Sequence, residues 1–379
     1  MRPDVIVAGA GPAGSLTALM LARAGLRVQV VDRAEFPRAK LCGDSINPGA
    51  MRVLRRIGVA DAVERAGIPV RGMIVSGPGG VQVRGEYPAP ARGVSIARAD
   101  LDWILLRCAL EAGASFEPRV RVSGPVVNRR GRVIGIAVGG RHGSPREITA
   151  PLTIAADGRR SVLATALGLV RQPRTPRRWA IGAYFDSGAS DAAFGEMHVR
   201  RGMYFGVAPL PDGRTNACLV LPRPARGALA DPAALLVGAL RVDPLVGRRF
   251  ARARLVSRPT VLGPLAVDGR RAGVEGLLLA GDAAGFIDPM TGDGLRFAFR
   301  GAELAAGVAL EALGGRVSDP AAELQRRRRR AFGRKWALNR GLRRLVGSRS
   351  AIAAATFAAR VYPSAIRRVI TAAADITAE

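Results

Sequence analysis

Three stretches of the chain combine residue types and spacings that can do chemistry. Gly9-Ala-Gly11-Pro-Ala13-Gly14 follows the short strand-like run Asp4–Val7. Gly9 permits a tight turn, Gly11 lets backbone approach a pyrophosphate, and Gly14 lets a helix pack closely on the preceding strand. The helix start then points oriented N–H groups at the phosphates. Asp32 lies 18 residues after Gly14, where a carboxylate can accept hydrogen bonds from ribose hydroxyls. A second carboxylate, Asp282, closes the apolar run that ends at Gly281. At the C-terminal end of a strand it faces the ligand crevice of an open α/β sheet. Pro289 and the turn Gly292-Asp293-Gly294 precede a helix beginning near Leu295, whose positive end stabilises negative charge beside it. The third stretch runs from Phe36 to Ala50 and holds Cys42 between cations and Gly43-Asp44-Ser45. Arg38 and Lys40 can lower a thiol's pKa. A nucleophilic cysteine also needs a base, and no histidine is near in sequence.

These residues need elements to position them. Residues 4–32 read as strand, turn, helix and strand, a unit of about 30 residues. Residues 50–67 are predicted to be one helix with Met51, Leu54 and Ile57 on one face, and 70–97 to be short strands with Gly/Pro turns. An amphipathic helix is predicted over 99–113, with Asp100 as N-cap and Gly113 as stop. Strands follow in 114–156, with a hairpin turn near Asn128–Gly131, and 152–168 reads as strand, Asp157-Gly158, helix. Residues 178–263 alternate strand-like runs with turns and include a helix at 231–240, suggesting a separate sheet. Residues 276–315 read as strand, loop and long helix, and 320–379 as helices joined by short turns.

Composition narrows the class. With 379 residues and 48% apolar content a sizeable core is available. No apolar run approaches the roughly 18–20 residues that span a bilayer. The N-terminus imitates a signal peptide, but Asp4 and the glycine spacing fit a cofactor fold better, so a cytoplasmic protein is expected. Cys42, Cys108 and Cys218 are far apart, which argues against disulfides and zinc. His142 and His198 have no evident company for a metal site or a Ser-His-Asp triad, and no metal is expected. The formal net charge is +28, and Lys40 and Lys335 are the only lysines among 58 basic residues. An arginine-rich, alanine- and glycine-rich chain is what a GC-rich genome tends to produce; attraction to an acidic membrane surface is the alternative. Residues 325–346 interleave arginines with Phe332, Trp336, Leu338, Leu342 and Leu345. Such a helix either packs on the cofactor domain or lies on an anionic bilayer. No recognition module accompanies the charge, which argues against nucleic acid.

Taken in order, GAGPAG with Asp32, Arg98 with Leu101-Asp102, IAADG at 154–158 and LLLAGDAA with the later Pro and GDG at 277–294 resemble the FAD-dependent oxidoreductases that include p-hydroxybenzoate hydroxylase-type monooxygenases. FPRAKLCGD and DPMTGDGLRFA are more similar to the geranylgeranyl reductase branch, and the resemblance covers roughly residues 1–310. It implies an α/β fold: a Rossmann-like FAD-binding domain (1–70, 98–168, 270–310), an inserted β-sheet substrate domain (71–97, 169–269) and C-terminal helices (311–379). By the same resemblance, Gly9, Gly11, Ala13 and Gly14 hold the pyrophosphate and Asp32 the adenosine ribose. Arg98 contacts the phosphate or ribityl region, Val122 meets adenine through its backbone, and Asp282 binds a ribityl hydroxyl. Asp157 and Gly158 match a motif tied to both FAD and NAD(P)H. Gly294 and Leu295 offer N–H groups to the flavin ring beyond Pro289, and Cys42, Gly43, Asp44 and Ser45 line it.

Geranylgeranyl reductases often carry a motif resembling Y-x-W-x-F-P; the matching stretch here is Tyr204-Phe-Gly206-Val-Ala208-Pro209. Tyr204 is a flavin-lining candidate beside Cys42. Gly206 and Ala208 replace two aromatic residues, which widens or reshapes the cavity and allows a bulkier substrate. The halogenase motif W-x-W-x-I-P is absent: Trp103, Trp179 and Trp336 do not fit it. The expectation is an oxidoreductase that uses FAD, reduced by NAD(P)H, to saturate a carbon–carbon double bond of an apolar or lipid-like substrate (prenyl, quinone or polyketide). The alternatives are a monooxygenase hydroxylating an aromatic or polyketide ring and, more remotely, a non-catalytic flavin-binding module. Peripheral membrane contact through the basic C-terminal helices is the one further partner expected.

Overall fold

The computed structural model describes residues 2–40, 43–140, 143–173, 177–187, 191–224 and 227–376. Cys42 and His142 lie outside them. The strand Val5–Ala8 sits inside a six-stranded sheet ordered Gly273–Val274, Leu277–Leu279, Leu152–Ala155, Val5–Ala8, Val28–Val31, Ser115–Glu117. Its pairings are parallel except at the Gly273–Val274 edge. Side chains alternate across a strand, so Val5, Val7, Val28 and Val30 enter one core while Ile6, Ala8 and Val31 enter the other. The result is the expected α/β architecture with two covered sheet faces.

Helix α1 (Pro12–Arg23) begins with proline at its first turn and is buried along most of its length. The helix expected over 50–67 is instead two: α2 (Pro48–Ile57), capped by the Asn47 side chain, and α3 (Ala60–Ala66). Gly58, in the left-handed region at φ 76°, ends α2 and turns the chain. Helix α4 (Arg98–Glu111) also starts differently from expectation: Asp100 lies within its first turn and caps nothing. Its Arg98 N–H donates instead to the Asp44 carboxylate at 3.2 Å, a cap supplied by a distant loop. The second face of the parallel sheet is covered by the antiparallel strands Val122–Val127, Val133–Gly140 and Gly143–Thr149, and by the short α5 (Val162–Ala166). The hairpin turn falls at Asn128–Gly131, where the Asn128 side chain accepts the Arg130 and Arg132 N–H groups at 3.0 and 3.1 Å.

A second sheet of seven strands is ordered Thr260–Leu262, Arg178–Phe185, Thr215–Pro222, Met203–Pro209, Phe194–Arg200, Gly72–Ser76, Gln82–Glu86. Its outer face packs against α6 (Pro232–Arg241) and α7 (Gly247–Arg252) through Phe205, Val207, Leu236, Leu240 and Phe250. A small sheet, Ser45–Ile46, Gly93–Ser95 and Ile68–Val70, lies beside the loop that carries Asp44. Helices α8 (Gly294–Leu313), α9 (Pro320–Gly347), α10 (Arg349–Val361) and α11 (Pro363–Ala373) complete the fold. Between the two settings expected for the basic helix, the structure shows packing. Leu324 and Phe332 of α9 are fully buried in the core of the cofactor sheet, and Trp336 packs against it. Phe332 stacks edge-on to Phe297 of α8. Among the described residues no helix is long and apolar enough to cross a membrane.

Candidate functional site

The loop from Gly9 to Gly14 is shaped as its glycines demand. Gly9 has φ 102°, and a Cβ there would lie 2.6 Å from the Ala156 carbonyl oxygen. A Cβ on Gly14 would lie 1.8 Å from the Gly9 carbonyl oxygen, so only glycine lets α1 approach its strand. Gly11 is different: a Cβ there would meet only the Arg38 guanidinium, at 3.6 Å. Gly11 is therefore open space the protein does not fill, as a ligand cradle requires. It is the N-cap of α1 and supplies no side-chain cap. The first helical bond runs from Ser15 N–H to Gly11 O at 2.9 Å, which leaves the N–H groups of Ala13 and Gly14 without intrahelical partners. Asp32 accepts the Ala10 and Ala34 N–H groups at 2.8 and 2.9 Å, which pins it beside the cradle with lone pairs to spare. Val120 N–H donates to Asp32 O at 2.8 Å, so Val122, two residues on, starts its strand near the same end.

Cations gather around this loop. Arg98 makes a bidentate, buried pair with Asp102 at 2.8 and 2.9 Å, and Arg38 reaches Asp102 at 3.4 Å. Lys40 is open to solvent yet walled by protein; burial and then Arg98 hold its ammonium below its usual pKa, while Asp282 and Asp102 oppose this. Burial raises the Asp282 carboxyl, with Lys40, Arg98 and Arg159 pulling it back. Burial likewise raises Asp157. Its Oδ2 accepts the Val162 N–H at 2.9 Å, while its buried Oδ1 lacks a partner among the described residues. Gly158 follows at φ 84° with open space beside it. An arrangement of open helix N–H groups, cations and carboxylates with spare acceptor capacity fits a dinucleotide with a diphosphate and polyol.

The start of α8 is held from several directions. Asp288 accepts the Met290 N–H at 3.1 Å, the Tyr204 hydroxyl at 2.5 Å and Arg178 Nη1 at 3.1 Å. Tyr204 is 2% exposed, and burial, then Asp288, raises its phenol well above the usual value. It therefore stays a protonated phenol that donates to Asp288 and ties the seven-stranded sheet to the loop carrying Pro289. Asp293 is raised by burial and tied to Asn47 at 3.2 Å, Asn339 at 3.3 Å and Lys335 at 3.2 Å. Neither carboxylate caps α8 through its side chain, which leaves the first-turn N–H groups, those of Gly294 and Leu295 among them, open to a ligand.

Asp44 joins the two sheets. It is 1% exposed and has φ 50°, rare for a residue with a side chain. Asn216 Nδ2 donates to its Oδ2 at 2.5 Å, and Tyr184 also bonds to it. Burial pushes its carboxyl from 3.8 up to about 6, opposed by Asn216, Tyr184 and Arg98. Gly43 precedes it, and a Cβ there would have no neighbour within 4 Å. Ser45 pairs with Ser95. Strand register places Gly182, Cys218, Gly206 and Met197 in one row across the seven-stranded sheet. Tyr184, Asn216 and Ala208 form the next row. Gly206 again opens on empty space, whereas Ala208 is buried. Of the two expected aromatic losses, the one at Gly206 opens the face.

Histidine is a correction to the sequence reading. His198 does have company: Nδ1 meets Ser76 Oγ at 2.8 Å and Nε2 meets Glu196 at 2.8 Å. All three are at most 3% exposed, and Arg249 and Arg200 also bind Glu196 and Ser76. The triad-like geometry is therefore sealed away from any substrate and serves packing of the sheet. Among the described residues no cluster could hold a metal ion. Sequence reading missed Asn47, Arg178, Asn216, Asp288, Lys335 and Asn339. Asn47 and Asp288 lie inside the motif stretches already singled out and Lys335 is one of two lysines in an arginine-rich chain, whereas Arg178, Asn216 and Asn339 carried no signal.

Residues 2–225 match the family described as FAD binding domain. The menaquinone reductase of Mycolicibacterium smegmatis is 32% identical, over 80% of this chain and 76% of that protein. Digeranylgeranylglycerophospholipid reductase 2 of Methanopyrus kandleri is 31% identical, over 83% and 78%. Among solved structures, the myxobacterial chondrochloren halogenase CndH superposes with TM-score 0.82 at 25% identity, covering 89% of this chain and 82% of that one. A flavoprotein/dehydrogenase from Cytophaga hutchinsonii reaches TM-score 0.85 at 20% identity, over 99% and 93%, which speaks for the fold alone. The glycine cradle, its cations and these relatives converge on one assignment: the chain belongs to the FAD binding domain family and is a FAD-dependent oxidoreductase.

Proposed function

We propose that this enzyme saturates a carbon–carbon double bond in an apolar, lipid-like substrate bearing a prenyl, quinone or polyketide unit, with NAD(P)H as electron donor. The carrying observation is the meeting of an apolar sheet face, opened at Gly206, with Asp44, a buried carboxyl that keeps its proton up to about pH 6. Bound FAD supplies the hydride chemistry. The protein residues bind, orient and handle the proton. Gly11, Ala13, Gly14 and the cations Arg38, Arg98 and Lys40 bind the diphosphate, and Asp32 and Asp282 take the hydroxyls. The open N-terminus of α8 stabilises negative charge at its end. Saturation adds a hydride to one carbon and a proton to the other. Asp44 is the group that would hold that proton, with Asn216 and Tyr184 fixing its orientation. The reductase names of the relatives at 31–32% identity support the same reading.

Hydroxylation of an aromatic or polyketide ring is the second reading; the fold shared with the FAD-dependent halogenase CndH at 25% identity shows that this architecture also serves flavin enzymes that are not named reductases. Product analysis separates the two. Enzyme reduced by NADPH is offered prenylated quinones and aromatic polyketides with and without oxygen. A product gaining two hydrogens without oxygen is expected; a hydroxylated product formed only with oxygen overturns the reductase reading. Peripheral contact with an anionic bilayer is proposed at the α10–α11 elbow. Its support is the exposure of Phe357 and Tyr362, 69% and 66%, whereas Phe332 of α9 is buried.

A further inference from the structure

A cavity of about 530 Å³ lies outside the cofactor cradle, between α9, the residues around Gly269 and the loop Ala284–Ile287. None of the cradle residues Gly9, Asp32, Arg98 or Asp282 lines it. Five arginines do: Arg171, Arg270, Arg271, Arg328 and Arg340. The one carboxylate in its wall, Asp268, is paired with Arg171 at 3.8 Å. Arg171, Arg270, Arg271 and Arg340 are exposed. Arg328 is not: it is 5% exposed, and its buried Nη1 has no hydrogen-bond partner among the described residues. Its remaining contacts are weak ones, Nη2 to the Ala284 carbonyl at 3.4 Å and the guanidinium over the Phe332 and Trp336 rings at 5.4 and 5.8 Å.

A buried cation without a carboxylate is costly unless something anionic compensates it. Burial has already brought Arg328 down to about 10, and among the described residues only the Ala284 carbonyl and the two aromatic rings, with no carboxylate, stand against that cost. Apart from Gln325, the rest of the wall is apolar and aromatic, with Phe286, Ile287, Phe297 and Trp336. The volume exceeds what a lone phosphate needs and lies in the range of small-molecule pockets. We infer that this cavity is a second ligand site, for a phosphate ester carried on an apolar or aromatic body, with the phosphate on the arginines and the body against Phe286 and Trp336. Arginine suits a phosphate because its fork donates two bonds in one plane. A lipid headgroup and a nucleotide are two sources of that chemistry.

The test uses FAD-loaded full-length enzyme and calorimetric titration with dihexanoyl phosphatidic acid, NADP+ and inorganic phosphate. One of the organic phosphates is expected to bind at least about tenfold tighter than inorganic phosphate, and the preferred one names the source. Arg328→Met and the rim variant Arg270→Ala/Arg271→Ala should each weaken it about tenfold or more, with FAD content unchanged and a shallower salt dependence for the rim variant. The rim variant keeps the test valid should Arg328→Met fail to fold, because both rim side chains are exposed. Organic phosphates that bind no tighter than inorganic phosphate, or affinities that neither variant alters, overturn the inference.

Discussion

Asp44 shows how a single side chain takes its chemistry from its surroundings. Its carboxyl titrates near 6 because burial outweighs three hydrogen-bond donors. The folded pKa lies above the ordinary 3.8, so the folded state binds this proton more tightly than the unfolded chain. The stabilising contribution is fully present below pH 3.8 and is lost as pH rises through about 6. Asp44→Asn should therefore flatten the dependence of melting temperature on pH between about 4 and 6.5. If Asp44 holds the catalytic proton, the same variant retains FAD and loses most of its turnover, and its residual pH–rate profile no longer falls as pH rises through about 6. A melting profile that matches wild type across this range would remove Asp44 as its source. The Arg98–Asp102 pair makes a second case. Asp102→Ala strands a buried guanidinium beside Arg38 and should cost about 3–5 kcal/mol in urea unfolding. Arg98→Met/Asp102→Leu should regain most of that stability while retaining little FAD, which separates the fold's need for the pair from the cofactor's.

At the scale of elements, the turn into α1 tells two kinds of glycine apart. Gly14 is required by the protein's own packing, and Gly11 by what must approach it. Gly14→Ala should give insoluble or unfolded protein. Gly11→Ala should fold with near-native circular dichroism and lose FAD binding, read from cofactor fluorescence after gel filtration. Equal loss of folding in both variants would deny Gly11 its ligand role. Both glycines and Asp32 were legible in the sequence because their spacing follows from one local geometry, strand to turn to helix. The start of α4 was not legible. Asp100 looked like a cap by proximity, yet the bond to Arg98 N–H comes from Asp44, 54 residues away. Local rules rank nearby caps and are blind to a loop brought in by the fold.

Across the whole molecule, the C-terminal helices brace the cofactor domain. Lys335 of α9 donates to the carbonyls of Ala372 and Ala373 at the end of α11, at 2.8 and 2.6 Å, and meets Asp293 before α8. Arg296 and Arg52 bind Asp375 from the other side. Lys335→Met should destabilise the protein by about 3 kcal/mol or more, because Asp293 stays buried without its cation, and should weaken FAD binding. Lys335→Met/Asp293→Asn should recover much of the stability; failure to do so would mean the helix-end carbonyls matter more than the ion pair. If the proposed bilayer contact exists, Phe357→Asp should reduce sedimentation with anionic vesicles and leave FAD content unchanged. Equal sedimentation of variant and wild type would place the contact elsewhere.

Read as a string of residues, the chain determined its cofactor chemistry and its fold class. The phosphate cradle, the ribose carboxylate and the two strand-end motifs each depend on a short run whose geometry is nearly independent of the rest. It also marked Tyr204 and Asp44 as residues near the site. Tertiary structure decided what those residues do. It gave Tyr204 to Asp288, raised Asp44 by burying it between two sheets, sealed His198 with Ser76 and Glu196, and turned the aromatic side of α9 inward. Burial and partners from distant segments set a side chain's charge and access, and both arise only when the sheets and helices pack.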